Sequence, residues 1–107
     1  MNYLNADDFL DGIAGEAVDM EIPGLGTVKI RSLEYMDLQR INKMARGDEM
    51  EAGFQIAIVG LVEPQLNTEQ IERLKKSKPG VIAQIAKRVS ELSGIRDDIE
   101  NLVGSGS

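Results

Sequence analysis

The chain has 107 residues, a formal net charge of −6, 42% hydrophobic and 4% aromatic residues, and neither cysteine nor histidine. That length suits one domain burying roughly two-thirds of its unfolded surface, and the scarcity of aromatics makes its core aliphatic. The two absent residue types exclude disulfides, thiolate nucleophiles, cysteine metal sites and the commonest general base, and the acidic balance disfavours nucleic acid.

The opening residues, Met1 to Asp8, hold neither a basic region nor an apolar one, so no secretory signal is expected. Asn5 suits the cap of a first helix. Asp7 and Asp8 favour its positive end, and Leu4 with Phe9 occupy staple positions. Phe9, Leu10 and Ile13 form a short apolar stripe, and Gly15 marks the stop.

Val18 to Ile22 and Thr27 to Arg31 both alternate apolar with charged residues, and Pro23-Gly24-Leu25-Gly26 between them supplies a turn. A β-hairpin over about 17–31 is predicted. Matching the apolar faces sets Ile22 opposite Val28 and Met20 opposite Ile30, which pairs Glu21 with Lys29 and Asp19 with Arg31. Gly24-Leu25-Gly26 lacks the further glycine and the lysine–serine pair of a phosphate loop and reads as a turn. Glu16, Asp19 and Glu21 read as a solvated, salt-bridged face rather than a cation site. The hairpin needs helices across its apolar face to be stable.

Every later segment reads as helix. Ser32 is the expected cap of one that carries Leu33, Met36, Ile41, Met44 and Ala45 near one side, and Gly47-Asp48 breaks it. The next runs from about Glu49 to Val62. It is apolar nearly all round after Phe54, so it lies inside the core or under a partner, and Glu63-Pro64 ends it. Its longest apolar run, Ile56 to Val62, is seven residues, far short of a membrane span. Leu66-Asn67-Thr68-Glu69-Gln70-Ile71 gives a capping box with a staple, and Lys75 and Lys76 close that helix. Pro79 opens another with Val81, Ile82, Ile85, Ala86, Val89 and Leu92 on one face, stopped by Ser93-Gly94. Ile95, Ile99 and Leu102 hint at a last short helix, and Gly104 to Ser107 is a flexible linker-like tail outside the fold.

The fold class expected is therefore α+β, mainly α: an N-terminal helix, one hairpin and four short amphipathic helices, in a single domain over 1–103. Chemistry is not expected. No serine has a histidine partner, no Ser-x-x-Lys motif occurs, and Asp97, Asp98 and Glu100 lack the spacing of a calcium loop. Arg73, Lys75, Lys76 and Lys78 read as a helix C-terminus, not as a nucleic-acid patch. Two readings stand for Tyr35, Met36, Met44, Met50 and Phe54. Their helical spacing suits core filling, and their flexible or aromatic side chains suit an adaptable docking surface for a partner.

Three stretches carry a family likeness: Phe9 to Ser32 with its Ile-Pro-Gly-Leu-Gly-Thr-Val hairpin; Gly60-Leu61-Val62-Glu63-Pro64; and Leu66 to Ile95, closing on Glu-Leu-Ser-Gly-Ile. Over these, about two-thirds of its length, the chain resembles the tail assembly chaperones of lambda-like and HK97-like siphophages. The resemblance implies a non-catalytic protein of the host bacterial cytoplasm, absent from the mature virion. It would bind the long helical tape measure protein, keep it soluble and help tail tube protein polymerise around it. The tube protein would be recruited by a frameshift-extended form, of which this chain would be the short counterpart. The Gly-Ser tail departs from the family pattern. Coating an extended client implies many copies, hence a possible homo-oligomer, and no cofactor, metal, nucleic acid or membrane is implied. The alternatives are a structural virion component, either a head–tail joining protein or a tail subunit, and more remotely an antitoxin-type or anti-repressor-type regulator.

Overall fold

The computed structural model describes residues 2–95. Ile99, Leu102, the acidic residues at 97–100 and the Gly-Ser tail lie outside the described residues. The elements run α1 (Ala6–Gly12), β1 (Ala17–Ile22), β2 (Gly26–Arg31), α2 (Tyr35–Ala45), α3 (Glu49–Gly60), β3 (Leu61–Glu63), α4 (Thr68–Lys75) and α5 (Pro79–Leu92). The fold is α+β and mainly α, as the periodicities require: the described residues form five helices and an antiparallel sheet in the order β1-β2-β3.

The hairpin forms with the expected faces and a different register. Val18 stands opposite Ile30, Asp19 opposite Lys29, Met20 opposite Val28 and Ile22 opposite Gly26. The expected pairs of Ile22 with Val28, Met20 with Ile30, Glu21 with Lys29 and Asp19 with Arg31 are corrected by two residues. The turn is the cause. The Leu25 N–H donates to the Ile22 carbonyl at 3.0 Å, and Gly24 takes φ 79°, so Pro23 and Gly24 fill the two central positions of a type II turn. That turn is tighter than the face match alone demands. A two-residue shift preserves alternation, so both faces survive.

A third strand replaces the expected last turn of helix over Leu61 and Val62. β2 would otherwise present an open edge, and β3 covers it with Lys29 opposite Glu63 and Ile30 opposite Leu61. The switch happens at Gly60, where α3 crosses α5. A Cβ on Gly60 would sit 2.5 Å from Val89 Cγ2 and 2.7 Å from Val89 Cγ1, so only glycine lets the helices approach this closely.

The core lies between the sheet and three helices. Ile22 and Ile30 from the hairpin meet Ile41 and Ala45 of α2, Ala52, Ile56 and Ala57 of α3, and Ile85 and Val89 of α5. α3 is the central helix, packed on α2 and α5, with every residue from Glu51 to Gly60 buried or half-buried. Its all-round apolar character is thus accounted for by the core. α5 buries Ile85 and Val89 and half-buries Val81, Ile82, Ala86 and Leu92, the face expected from their spacing. Gly94 at φ 74° closes it: Gly94 N–H reaches the Glu91 carbonyl and Ile95 N–H reaches the Ser90 carbonyl, each at 3.1 Å. The α4 capping box is present in full, with Gln70 N–H to Asn67 Oδ1 at 2.8 Å and Asn67 N–H to Gln70 Oε1 at 2.9 Å.

Ser32 does not cap α2. Its hydroxyl and amide bind backward to Glu16, with Glu16 N–H to Ser32 Oγ at 2.9 Å and Ser32 N–H to the Glu16 carbonyl at 2.8 Å. Glu34 is the residue before α2, and its N–H is taken by Asp37 at 2.8 Å. Ser93 ties the end of α5 to the same junction: its Oγ accepts from Leu33 N–H and donates to the Val89 carbonyl, both at 2.7 Å.

Two glycines of α3 test this packing against helix propensity. Gly53→Ala meets nothing within 4 Å and should stabilise the protein by about 0.5–1 kcal/mol, the helical advantage of alanine. Gly60→Ala carries the same intrinsic advantage but should destabilise by about 1–3 kcal/mol, because it drives a methyl into Val89. Thermal or urea unfolding of the two variants should therefore give shifts of opposite sign.

Candidate partner-binding surface

The five residues singled out for docking divide into two groups. Tyr35 (78% exposed), Met36 (65%), Met44 (59%) and Met50 (81%) stand at the surface, which excludes core filling for these four. Phe54 is half-buried, and the Lys75 ammonium lies 5.7 Å from its ring centroid, so α4 already covers part of it. The helical wheel explains α2. Its buried line is Asp37, Ile41 and Ala45, one residue every four. Met36 lies about 140° round the helix from Ile41 and therefore faces out. Met44 sits beside the buried line and is left at its edge.

Along α2, Tyr35 and Met36 are at one end and Met44 at the other, about 14 Å apart at the helical rise. Met44 and Met50 flank the α2–α3 turn. There Arg46 adopts the left-handed conformation at φ 49°, and Asp48 Oδ1 caps α3 by accepting from the Met50 and Glu51 amides at 3.0 and 3.2 Å. Met36 also borders a shallow depression of about 460 Å³ with Gln39, Arg40, Asn42 and Lys43.

The structure adds residues that sequence reasoning left out of the site. None of α1 is buried, and Phe9, Leu10 and Ile13 are each more than half exposed. Its cap forms as expected, with Asp8 N–H to Asn5 Oδ1 at 2.8 Å. Leu10 and Ile13 share a cleft of about 370 Å³ with Leu33, Tyr35 and Leu92. The apolar stripe of α1 thus continues the Tyr35 end of α2. The sequence shows the stripe of α1 but not its neighbour, because the hairpin is covered by α2, α3 and α5 without it.

A second hollow is wholly apolar. It measures about 180 Å³ and lies at the turn end of the hairpin, among Leu25, Ile58, Leu61, Leu66, Leu74 and Val81. The glycine pair near it is only the hairpin turn, as expected from sequence. Among the described residues no cluster of three acidic side chains could hold a metal ion, and no helix is long and apolar enough to cross a membrane.

The buried carboxylate of α2 is structural. Asp37, 5% exposed, accepts from Arg31 at 2.9 Å and from Glu34 N–H at 2.8 Å, and Arg40 stands 3.5 Å away. Arg31 therefore turns to α2 and not to Asp19 across the hairpin. Burial alone would raise the Asp37 pKa, but the Arg31 and Glu34 hydrogen bonds, with the charges of Arg31 and Arg40, hold it below the ordinary carboxylate value.

No protein-family model, curated protein or solved structure matches the chain. The site's reading therefore rests on its geometry and on the residue likeness described above.

A carboxylate with a depressed pKa stabilises the fold above its unfolded pKa and loses that contribution as pH falls through the folded one. The acid limb of stability below about pH 4 should thus depend on Asp37. Asp37→Asn should destabilise at neutral pH by about 1–3 kcal/mol and flatten that limb, as read from urea unfolding across a pH series.

Proposed function

We propose that this protein is a non-catalytic assembly chaperone that binds and solubilises a phage tape measure protein in the host cytoplasm and promotes tube polymerisation around it. The observation that carries the reading is the set of exposed apolar side chains on α2 and at the α2–α3 turn: Tyr35 in the cleft beside α1, Met36 next to it in sequence, and Met44 and Met50 at the other end of the helix. A long helical client repeats apolar stripes of varied composition. Flexible methionines and an open cleft accommodate such stripes better than a rigid pocket would. Helix-in-groove docking would lay one client helix along α2, with an anchor in the cleft at Tyr35. The domain's net charge of −6 would keep a chaperone–client complex soluble and favour basic client segments. Recruitment of tube protein belongs, in this reading, to a longer form of the chain.

Co-expression with the tape measure protein encoded nearby tests this. Soluble client co-eluting with several copies of this chain on a sizing column is the expected result. Client that stays insoluble, with this chain eluting alone and a longer frameshifted form equally inactive, would overturn it. The double variant Met36→Glu, Met44→Glu should abolish co-elution while changing the unfolding free energy by no more than about 0.5 kcal/mol per site, since both side chains are exposed.

A further inference from the structure

We infer that the exposed methionines of α2 and the α2–α3 turn, Met36 above all, form a reversible oxidation site. A peroxide converts their thioethers to sulfoxides and so switches this face from apolar to polar while the fold stays intact. The chain offers an oxidant little else, since it has five methionines and no cysteine, histidine or tryptophan. Met1 lies outside the described residues; of the other four, Met36, Met44 and Met50 are each more than half exposed. Met20 is the exception. It is half-buried on the hairpin opposite Val28 and packed against the core.

The surroundings of Met36 suit the oxidised product. It borders the depression of about 460 Å³ with Gln39, Arg40, Asn42 and Lys43. A sulfoxide oxygen accepts hydrogen bonds, and each of these four side chains carries N–H donors. Gln39 and Arg40 follow Met36 by three and four residues, on the same side of α2. Lys43 has no ion-pair partner among the described residues. An oxygen on Met20 would instead enter the apolar edge of the core, where a polar group without a partner is costly. Access and surroundings thus separate a tolerated oxidation at the surface from a damaging one inside.

The chemistry balances with a peroxide as the one co-reactant. A sulfur lone pair attacks a peroxide oxygen, and the S–O bond forms as the O–O bond breaks. Hydroxide leaves, takes the remaining proton and becomes water. The thioether has given two electrons to the peroxide. A dithiol reductase reverses the step: two thiols become a disulfide, and the sulfoxide oxygen leaves as water. Without cysteine the chain has no thiol of its own for that reduction, so recovery depends on the reductase. The consequence for docking rests on the proposed function, because the same side chains form the face assigned to the client. Each sulfoxide buried there without a partner should weaken docking about tenfold.

Graded hydrogen peroxide on the full chain tests it, read by peptide mass spectrometry, circular dichroism and retention on a hydrophobic-interaction column. Met36, Met44 and Met50 should each gain one oxygen severalfold faster than Met20, with dichroism unchanged and retention reduced. Methionine sulfoxide reductases acting on both epimers should remove the oxygens and restore retention. The triple variant Met36→Leu, Met44→Leu, Met50→Leu should keep its own retention through the same treatment, since leucine has no sulfur. A Met20 that oxidises as fast as the surface set would overturn the inference. So would unfolding with the first oxygens, or retention that ignores oxidation. None of these readouts involves a client. Treated wild type should also lose co-elution with the tape measure protein and regain it after the reductases. Treated protein that co-elutes undiminished would overturn the docking consequence, whereas untreated protein that never co-elutes contradicts the proposed function alone.

Discussion

The close crossing of α3 over α5 at Gly60 and Val89 governs the rest of this structure. Val89 is fully buried, and the absence of a side chain at Gly60 lets the two backbones meet across it. The approach fixes α3 as the central helix. It also forces the chain out of helix at Gly60, so that Leu61 to Glu63 fall onto the free edge of β2. Sheet and helices are thereby joined in one core through Ile30, Ile56, Ile85 and Val89. Because that core closes with α2, α3 and α5, α1 keeps an apolar face that stands more than half exposed among the described residues.

A polar node locks the junction between sheet and helices. Ser32 and Ser93 hold the ends of β1, β2 and α5 together, and Asp37 draws Arg31 onto the first turn of α2. These bonds set the direction of α2 and so decide which of its residues face out. The exposed position of Met36 follows from Asp37 occupying the buried line with Ile41 and Ala45. A carboxylate inside is what places a methionine outside.

Much of the fold was legible in the sequence because its signals are local. The α4 box at Asn67 and Gln70, the Gly94 stop and the alternating hairpin faces each depend on a few neighbouring residues. What was not legible depends on distant contacts. Leu61 and Val62 continue the apolar run of α3, and only the crossing with Val89 turns them into strand. Ser32 stands where a helix cap would stand, yet its hydroxyl is taken by Glu16, sixteen residues back. The hairpin register slipped by two because alternation fixes faces and not partners. For the candidate surface, methionine at helical spacing reads equally as core or interface. Exposure separates Met36, Met44 and Met50 from Phe54, and the cleft adds Leu10 and Ile13, which no periodicity linked to Tyr35.

Under the proposed function, the Tyr35 and Met36 end of α2 receives a helix of the tape measure protein. A photo-crosslinking residue placed at Met36, with exposed Ala83 on α5 as the control position, tests it most directly in cells assembling tails. The expected result is a crosslink from position 36 to the tape measure protein during assembly and none from position 83. Equal crosslinking from both positions, or crosslinks from position 36 only to mature tail subunits, would contradict it.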